Sequence, residues 1–245
     1  MIVKSVSKGV VILTISFVDS RLEKEELNEL QKRNVKLVFC PKDKNLYEAI
    51  SCHPDIQLHI IDKSTVIVHK DFPKNLIDEL KDLNIKVFKS SKSLKDNYPY
   101  DIMLNALNIG DYFIHKLNFT DKNLLDLVKS KKLINTNQGY TKCSSAIVSD
   151  KAIITSDTSI RDALRITDID VLFLPPGDII LPGLDYGFIG GTCGLIDKST
   201  LAFFGDLSYY KHGEAVLEFL KKHNVNPLYL RKGPLIDRGS ILSIF

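Results

Sequence analysis

The strongest constraint on the fold is a pattern that recurs five times along the 245 residues. Segments that lead into apolar runs begin around His53, Asp101, Cys143, Thr192 and Asp237, at intervals of 42 to 49 positions. Self-similarity at a period of this length is typical of supersecondary units that stack or close into a ring. The sequence therefore predicts five related units.

The second unit shows most clearly what a unit contains. Alternating and apolar runs predict an opening strand His53–Ile61, a turn at Asp62–Ser64 and a return strand Thr65–Val68. A helix over Lys74–Leu83 and a strand over Ile85–Phe88 follow. The order is hairpin, helix, strand, which makes a ββαβ unit.

The other units predict the same order. The third has strands at 98–105 and 112–115 and a helix at 121–130. The fourth opens at Cys143 and continues with strand 152–155, helix 159–165 and strand 170–174. The fifth has strands at 188–196 and 201–204, a helix at 213–223 and a strand at 228–230.

The first unit and the final segment are each incomplete. Strand Val10–Phe17, helix Lys24–Arg33 and strand Lys36–Phe39 have no opening strand before them, whereas the apolar segment Pro234–Leu242 has no helix after it. Pairing these two parts would complete one unit and remove the free sheet edges. We expect an α/β ring in which residues 1–245 form a single domain.

Composition excludes several classes of function. A hydrophobic fraction of 44% and a net charge of +3 fit a globular protein with a large core. Basic residues are interspersed with acidic ones, even in the dense run Lys122–Lys132, so nucleic acid is not an expected partner. No apolar run approaches the roughly 20 residues that span a membrane, and Gly9–Phe17 fits a buried strand better than a signal peptide.

The four cysteines are isolated from one another. Cys40, Cys52, Cys143 and Cys193 form no CxxC pair, so the sequence predicts neither a zinc site nor a disulfide framework. A reducing, cytoplasmic location is expected. Neither a metal nor a cofactor is expected.

Cys143 has the most distinctive surroundings of the four. It lies in the stretch Gln138-Gly-Tyr-Thr-Lys-Cys-Ser-Ser145, immediately before an apolar strand. The charge of Lys142 should favour the reactive thiolate, and Ser144 supplies a neighbouring hydroxyl group. The alternative is that Cys143 is a small buried apolar residue, as free cysteines commonly are.

Three short motifs resemble those of the pentein superfamily, the guanidino-group modifying enzymes. They are His53-Pro-Asp-Ile-Gln57, Gln138-Gly-Tyr-Thr-Lys-Cys143 and Gly190-Gly191. The chain is most similar to an uncharacterised bacterial family of that fold. The resemblance implies a five-bladed, pseudo-symmetric α/β propeller of ββαβ units whose opening segments meet on the axis.

The resemblance also implies a reaction and a set of site residues. Cys143 would attack a guanidino or amidino carbon and form a covalent thiouronium, His53 would act as acid and then as base, and Asp237 would bind the cation. The enzyme would be a hydrolase or an amidinotransferase on a small cationic compound. Further residues expected to bind substrate are Asp55, Gln57, Asp101, Asn105, Lys142 and Ser144. Carboxylates around His53 are expected to raise its affinity for a proton.

Some alternatives stay open at the level of sequence. The acidic segment Asp237-Arg-Gly-Ser240 departs from the Glu-Gly-Gly-Asp of those enzymes, and Gly190-Gly-Thr192 offers a second alignment. His53, Asp101 and Asp237 could each be ordinary turn residues. The fold also occurs in a ribosome anti-association factor, so a non-enzymatic binding protein is the alternative function. The oligomeric state is open, with a homodimer as one option.

Overall fold

A computed structural model describes residues 14–245, and this part of the chain forms five three-stranded sheets. In every sheet an inner strand pairs antiparallel with a middle strand, and the middle strand pairs in parallel with an outer strand. A helix joins the middle and outer strands, because parallel neighbours require a crossover connection. The prediction of a five-bladed α/β propeller is confirmed.

The elements follow one another in regular order. The first two units contain β1 (Ile15–Asp19), α1 (Lys24–Gln31), β2 (Lys36–Cys40), α2 (Pro54–Gln57), β3 (Leu58–Asp62), β4 (Thr65–Val68), α3 (Lys74–Asp82) and β5 (Lys86–Lys89). The third contains β6 (Leu107–Ile109), β7 (Tyr112–His115), α4 (Lys122–Leu127) and β8 (Lys132–Asn135). The last two contain β9 (Ser145–Ser149), β10 (Ala152–Thr155), α5 (Thr158–Leu164), β11 (Asp170–Phe173), β12 (Cys193–Asp197), β13 (Thr200–Phe203), α6 (Gly213–Lys222), β14 (Asn226–Tyr229) and β15 (Leu242–Ile244).

The ring closes between the first and last described strands. β15 pairs antiparallel with β1, so that Ile15 faces Ile244 and Phe17 faces Leu242. The Ser16 and Ser243 side chains hydrogen-bond at 2.7 Å across this pair. The predicted pairing of the C-terminal segment with the first strand is therefore confirmed. Residues 10–13 of the predicted first strand lie outside the described residues.

Local chemistry explains why the hairpins turn where they do. In the second unit the Asp62 carboxylate accepts the Ser64 backbone N–H at 2.9 Å. In the fifth unit Asp197 accepts the Ser199 N–H at 2.8 Å. An aspartate that caps the backbone two residues ahead stabilises a tight turn. The two turns share the sequence Ile-Asp-Lys-Ser-Thr, at 61–65 and 196–200, so the same turn chemistry recurs in two units.

Apolar side chains fill the space between each sheet and its helix. Phe17, Phe113 and Phe203 are fully buried on strands of three different sheets, and α3 directs Ile77 and Leu80 inward. Burial of large apolar surface of this kind provides most of the stability of a domain. It also fixes the inner strands around the axis, where the candidate site lies.

The segments that open the units differ from the prediction. His53 precedes the short helix α2, which begins at Pro54, so the strand predicted from His53 starts only at Leu58. Proline suits the first turn of a helix, and its fixed φ explains the helical start. Residues 101–105 form turns, and 189–192 form a 3-10 helix, before the strands β6 and β12. Of the strand predicted over 234–242, only Leu242 lies in β15, which continues to Ile244.

Candidate active site

Three side chains that the sequence places far apart meet at one pocket. Cys143, His53 and Asp237 line a cavity of about 250 Å³. They belong to the segments before β9, β3 and β15, so three inner strands position them at one end of the ring. Each is at least 97% buried. The walls of this pocket are formed by Tyr47, Ile50, Tyr140, Leu181 and Phe188.

Asn105 holds the segment that carries the cysteine. Its carboxamide oxygen accepts the backbone N–H groups of Lys142 at 2.9 Å and Cys143 at 3.2 Å. Its nitrogen donates to the Cys143 sulfur at 3.0 Å and to the Asp55 carbonyl at 2.9 Å. A donor aimed at the sulfur stabilises the thiolate relative to the thiol. Asn105 is therefore placed to orient the sulfur.

His53 lies between two carboxylates. Its Nδ1 is 3.9 Å from Asp237, and its Nε2 is 4.0 Å from Asp19. Neither ring nitrogen has a hydrogen-bond partner among residues 14–245. Burial lowers the pKa of His53 although both carboxylates act to raise it. The carboxylates thus raise the proton affinity as expected, but the loss of solvation outweighs their effect, so the net pKa is lowered.

The Asp237 carboxylate is fixed by the backbone. It accepts the N–H groups of Phe188 at 2.8 Å and Gly239 at 2.9 Å. Glycine is needed beside it, since a Cβ on Gly191 would lie 1.9 Å from Asp237 Oδ1. Gly239 has a φ of +68°, and a Cβ there would lie 2.3 Å from the His53 side chain. Close backbone packing thus brings the acid and the histidine together.

The thiol of Cys143 is held in its protonated form. Burial raises its pKa well above the usual value, and the carboxylates of Asp55 and Asp237 raise it further, against the hydrogen bond from Asn105. Lys142 does not offset this effect as expected, because its ammonium group donates to Ser240 Oγ at 3.0 Å and lies 3.4 Å from the Gly190 carbonyl. The lysine precedes the cysteine in sequence but its charge is directed elsewhere.

Asp55 and Lys142 border a different cavity. Ser240 Oγ lies 2.5 Å from Asp55 and accepts from Lys142, so the three side chains form one buried group. Asp55 and Lys142 line a larger cavity of about 470 Å³ between the inner strands, whereas Cys143 lines the pocket of about 250 Å³. The buried group therefore belongs to a cavity other than the one that Cys143 lines.

The remaining predicted site residues have varied placements. Asp101 accepts the Tyr140 hydroxyl, and Tyr140 in turn lines the pocket. Gln57 donates to the carbonyls of Pro41 and Ser51, both at 2.7 Å, so it holds the segment before α2 and does not line the pocket. Ser144 lines a separate cavity of about 350 Å³.

Several residues in the pocket or beside it were not expected from sequence. Asp19 is fully buried at the end of β1 and binds Arg21 at 2.6 Å, and its carboxylate lies 4.0 Å from His53 Nε2. The available signal in the sequence was an aspartate just after an apolar run, with an arginine two positions later. Tyr140 lies within the Gln138–Cys143 motif and Phe188 begins a predicted strand, but neither was named as a site residue, and Tyr47 had no signal beyond its aromatic character.

None of the helices between residues 14 and 245 has the length and the apolar composition that crossing a membrane requires. Within the same range, no group of three or more His, Cys, Asp or Glu side chains is placed to hold a metal ion.

Solved structures with the same architecture include enzymes that act on amidino groups. An amidinotransferase of saxitoxin biosynthesis from Microseira wollei is 13% identical, with a TM-score of 0.56 over 89% of this chain and 88% of that chain. Inosamine-phosphate amidinotransferase from Streptomyces griseus is 15% identical, with a TM-score of 0.56 over 85% and 74%. Agmatine deiminase from C. jejuni with substrate bound is 12% identical, with a TM-score of 0.53 over 94% and 93%.

These similarities establish the pentein fold that the sequence motifs suggested. A search of curated proteins found no significant match. The sequence pattern of a family of unknown function, DUF6873, matches residues 17–242, and the protein therefore belongs to that family.

Proposed function

We propose that the protein is a cysteine-dependent enzyme that hydrolyses a small guanidino or amidino compound or transfers its amidino group. The observation that carries this proposal is the meeting of Cys143, His53 and Asp237 in one pocket. A nucleophile, a proton carrier and an anion for the substrate cation are the groups that such chemistry needs. The solved structures of similar fold include two amidinotransferases and a deiminase, which supports this choice.

Binding of the cation would activate the nucleophile. In the free site the thiol is protonated and His53 is neutral, since burial raises the pKa of the thiol and lowers that of the imidazole. A guanidinium group beside Asp237 would offset the negative charge that opposes thiolate formation. The thiol proton would then pass to His53, where Asp237 and Asp19 stabilise the imidazolium.

The covalent step conserves atoms and charge. The Cys143 sulfur donates an electron pair to the central carbon, and a C–S bond forms. The imidazolium of His53 gives its proton to the departing nitrogen as the C–N bond breaks, which leaves a thiouronium on Cys143 and a neutral amine. Water or an acceptor amine then loses a proton to His53 and attacks the same carbon. The C–S bond breaks and the sulfur leaves as thiolate.

A pair of reagents that differ in charge tests the proposal. Chloroacetamidine is cationic and chloroacetamide is neutral, but both lose chloride to a thiolate. We expect Cys143 to react with the cationic reagent at least about tenfold faster, which corresponds to 1.4 kcal/mol. Cys40, Cys52 and Cys193 are buried as well and serve as internal controls in the peptide map.

Two aspartate variants sharpen the same experiment. Asp237→Asn should reduce the preference of Cys143 for the cationic reagent, because the carboxylate that attracts the cation is lost. Asp168→Asn should leave the preference unchanged, since Asp168 is exposed and pairs with Lys151. Equal reaction of Cys143 with both reagents in the wild type would contradict the enzyme proposal and favour a non-enzymatic binding protein.

A further inference from the structure

The outer part of the Cys143 pocket is apolar and aromatic. Tyr140 and Phe188 lie with ring centroids 6.0 Å apart, and Tyr186 meets Phe188 edge to face at 6.0 Å. Leu184 and Tyr186 line the entrance and are 48% and 50% exposed. Apolar side chains left exposed around a concave site mark a surface that a ligand covers. The part of a substrate beyond its guanidino group would therefore contact apolar surface.

Among the described residues, the pocket offers no lysine or arginine as a partner for a carboxylate. Asp185 and Asp237, which both line it, are acidic. An amino acid bound with its guanidinium at Asp237 would place its carboxylate near Asp185 without a compensating cation. Burial of an unpaired charge near a like charge opposes binding.

The basic residues on neighbouring segments are already engaged. Arg21 donates to Asp19 and to the carbonyls of Glu48 and Ala49, at 2.6 to 3.1 Å. Arg238 pairs with Glu23 at 2.9 Å. Lys142 borders the other cavity. To reach a substrate carboxylate, any of these side chains would have to leave its present partners.

The volume of the pocket limits the size of the ligand. At about 250 Å³ it is smaller than the roughly 300 to 1,000 Å³ usual for drug-sized ligands. It suits a planar cation with a short chain or one ring, with the aromatic residues against the chain. A tyrosine or phenylalanine face also favours a cation over an anion.

We propose that the site takes guanidino or amidino compounds whose other end contacts apolar surface and carries no carboxylate, and that it disfavours amino acids such as arginine. This inference rests on the proposed function, because it assumes that the cation lies at Asp237. It adds the chemical class of the substituent, which the reacting groups alone do not specify.

Binding of three guanidines tests the inference. Pentylguanidine, agmatine and arginine have chains of similar length but differ at the far end, which is apolar, cationic or zwitterionic. We expect calorimetry on a Cys143→Ser variant, which prevents turnover, to show pentylguanidine and agmatine each binding at least about tenfold more tightly than arginine. Arginine binding as tightly as either of the other two, or no binding of any of the three, would overturn the inference.

Two tyrosine variants test whether the apolar entrance of the pocket contacts the substituent of the guanidine. Tyr186→Ala should weaken pentylguanidine several-fold and leave the unsubstituted guanidinium ion unaffected. Tyr209→Ala is the matched control, because Tyr209 is 46% exposed but does not line the pocket. Equal losses for both ligands in Tyr186→Ala, or no loss for either, would contradict the role given to the apolar entrance.

The outcome of the binding experiment can be distinguished from the outcome of alkylation by chloroacetamidine and chloroacetamide. If Cys143 prefers chloroacetamidine but arginine binds as tightly as either of the other two guanidines, only the inference about the substituent fails. If arginine binds most weakly but Cys143 shows no preference for the cationic reagent, the protein binds guanidines that lack a carboxylate without the proposed chemistry.

Discussion

Asn105 is the residue whose contacts bear most directly on the reactivity of Cys143. It accepts two backbone N–H groups of the cysteine segment and donates to the sulfur at 3.0 Å. The sulfur also faces the carboxylates of Asp55 and Asp237, which disfavour the thiolate. The protonation state of the Cys143 thiol therefore depends on the balance between the Asn105 amide donor and the two carboxylates. A change of the Asn105 amide nitrogen alone can shift this balance.

The first prediction concerns the amide nitrogen of Asn105. Asn105→Asp replaces the amide nitrogen with an oxygen, which removes the donor and adds negative charge beside the sulfur. We expect alkylation of Cys143 by chloroacetamide to slow at least about tenfold, because the pKa of the thiol rises further. Rates would be measured by peptide mapping at several pH values.

A second asparagine provides the control for this prediction. Asn123→Asp makes the same chemical change at an exposed amide that donates to the Lys89 carbonyl. The rate at Cys143 should not change in that variant. An unchanged rate in Asn105→Asp would show that the hydrogen bond to the sulfur has no influence on the thiol.

At the scale of elements, helix α1 is connected to the segment that carries Asp237. Glu26 of α1 is fully buried and lies 3.4 Å from Arg238 and 3.9 Å from Arg231. Arg238 also reaches Glu23, the residue before α1. These ion pairs join the first unit to the segment before β15. They hold that segment beside His53 independently of the strand pairing.

The second prediction follows from the burial of Glu26. Glu26→Gln keeps the shape of the side chain but leaves Arg231 and Arg238 without their buried anion. We expect a loss of roughly 3 kcal/mol in the free energy of unfolding, as for other broken buried pairs. Urea denaturation would measure it.

An exposed glutamate in the same helix serves as the comparison. Glu29 pairs with Lys32 at the surface, so Glu29→Gln should change the stability by less than about 1 kcal/mol. Equal effects of the two substitutions would contradict the structural role assigned to Glu26.

The order of elements could be predicted from sequence, but the details of the inner strands could not. The apolar runs at Thr65–Val68 and Ala152–Thr155 gave the middle strands because these are buried on both faces. β8 was missed, since Lys132–Asn135 has only two apolar residues and its strand conformation depends on pairing with β7. Tertiary pairing of this kind leaves little trace in a local pattern.

The candidate site was predicted only in part. Recurrence and motif similarity named Cys143, His53 and Asp237, which the structure brings together. The position of Lys142 next to Cys143 in the sequence, however, did not predict where its ammonium group lies. Lys142 follows Thr141 into a turn that directs its ammonium group toward Ser240. The direction of a side chain in a turn depends on backbone geometry, which composition does not reveal. The roles given to these residues stay predictions.

At the scale of the whole molecule, the ring buries several histidines, and two of them, His59 and His115, form no ion pair among residues 14–245. Burial lowers the pKa of His115 to about 4 and that of His59 to about 3, and lowers that of His53. His115 is held by Thr120 at 2.7 Å and by the Gly139 carbonyl at 3.0 Å. That residues 1–245 form one domain is still a prediction, and coincident unfolding transitions by two spectroscopic probes would test it.

The third prediction is a loss of stability in mild acid. Below about pH 6.5 the unfolded chain binds protons at these histidines that the folded chain does not bind, so stability should fall as the pH decreases toward 4. The lowered pKa of His115 alone corresponds to a loss of about 3 kcal/mol in the free energy of unfolding, which is reached in full once the pH is below the folded-state pKa of about 4. Buried carboxyls such as Asp101, whose pKa is raised by burial, act in the opposite sense nearer pH 4.

Variants identify the source of this pH dependence. His115→Gln should be less stable at neutral pH but show a shallower decline between pH 6.5 and 4.5. His212→Gln should keep the slope of the wild type, because His212 is partly exposed before α6. Urea titrations across this range give the slopes. An identical slope in His115→Gln would contradict the assignment.

In the proposed mechanism a substrate cation creates the thiolate of Cys143. The ultraviolet difference absorbance of the thiolate, wild type minus Cys143→Ser, can be titrated with pH in the presence and absence of acetamidinium. We expect no thiolate at neutral pH without the cation, and an apparent pKa at least about one unit lower with it, equivalent to 1.36 kcal/mol. Neutral acetamide should have no effect. A thiolate already present at neutral pH without ligand, or a titration curve that acetamidinium does not move, would contradict this mechanism.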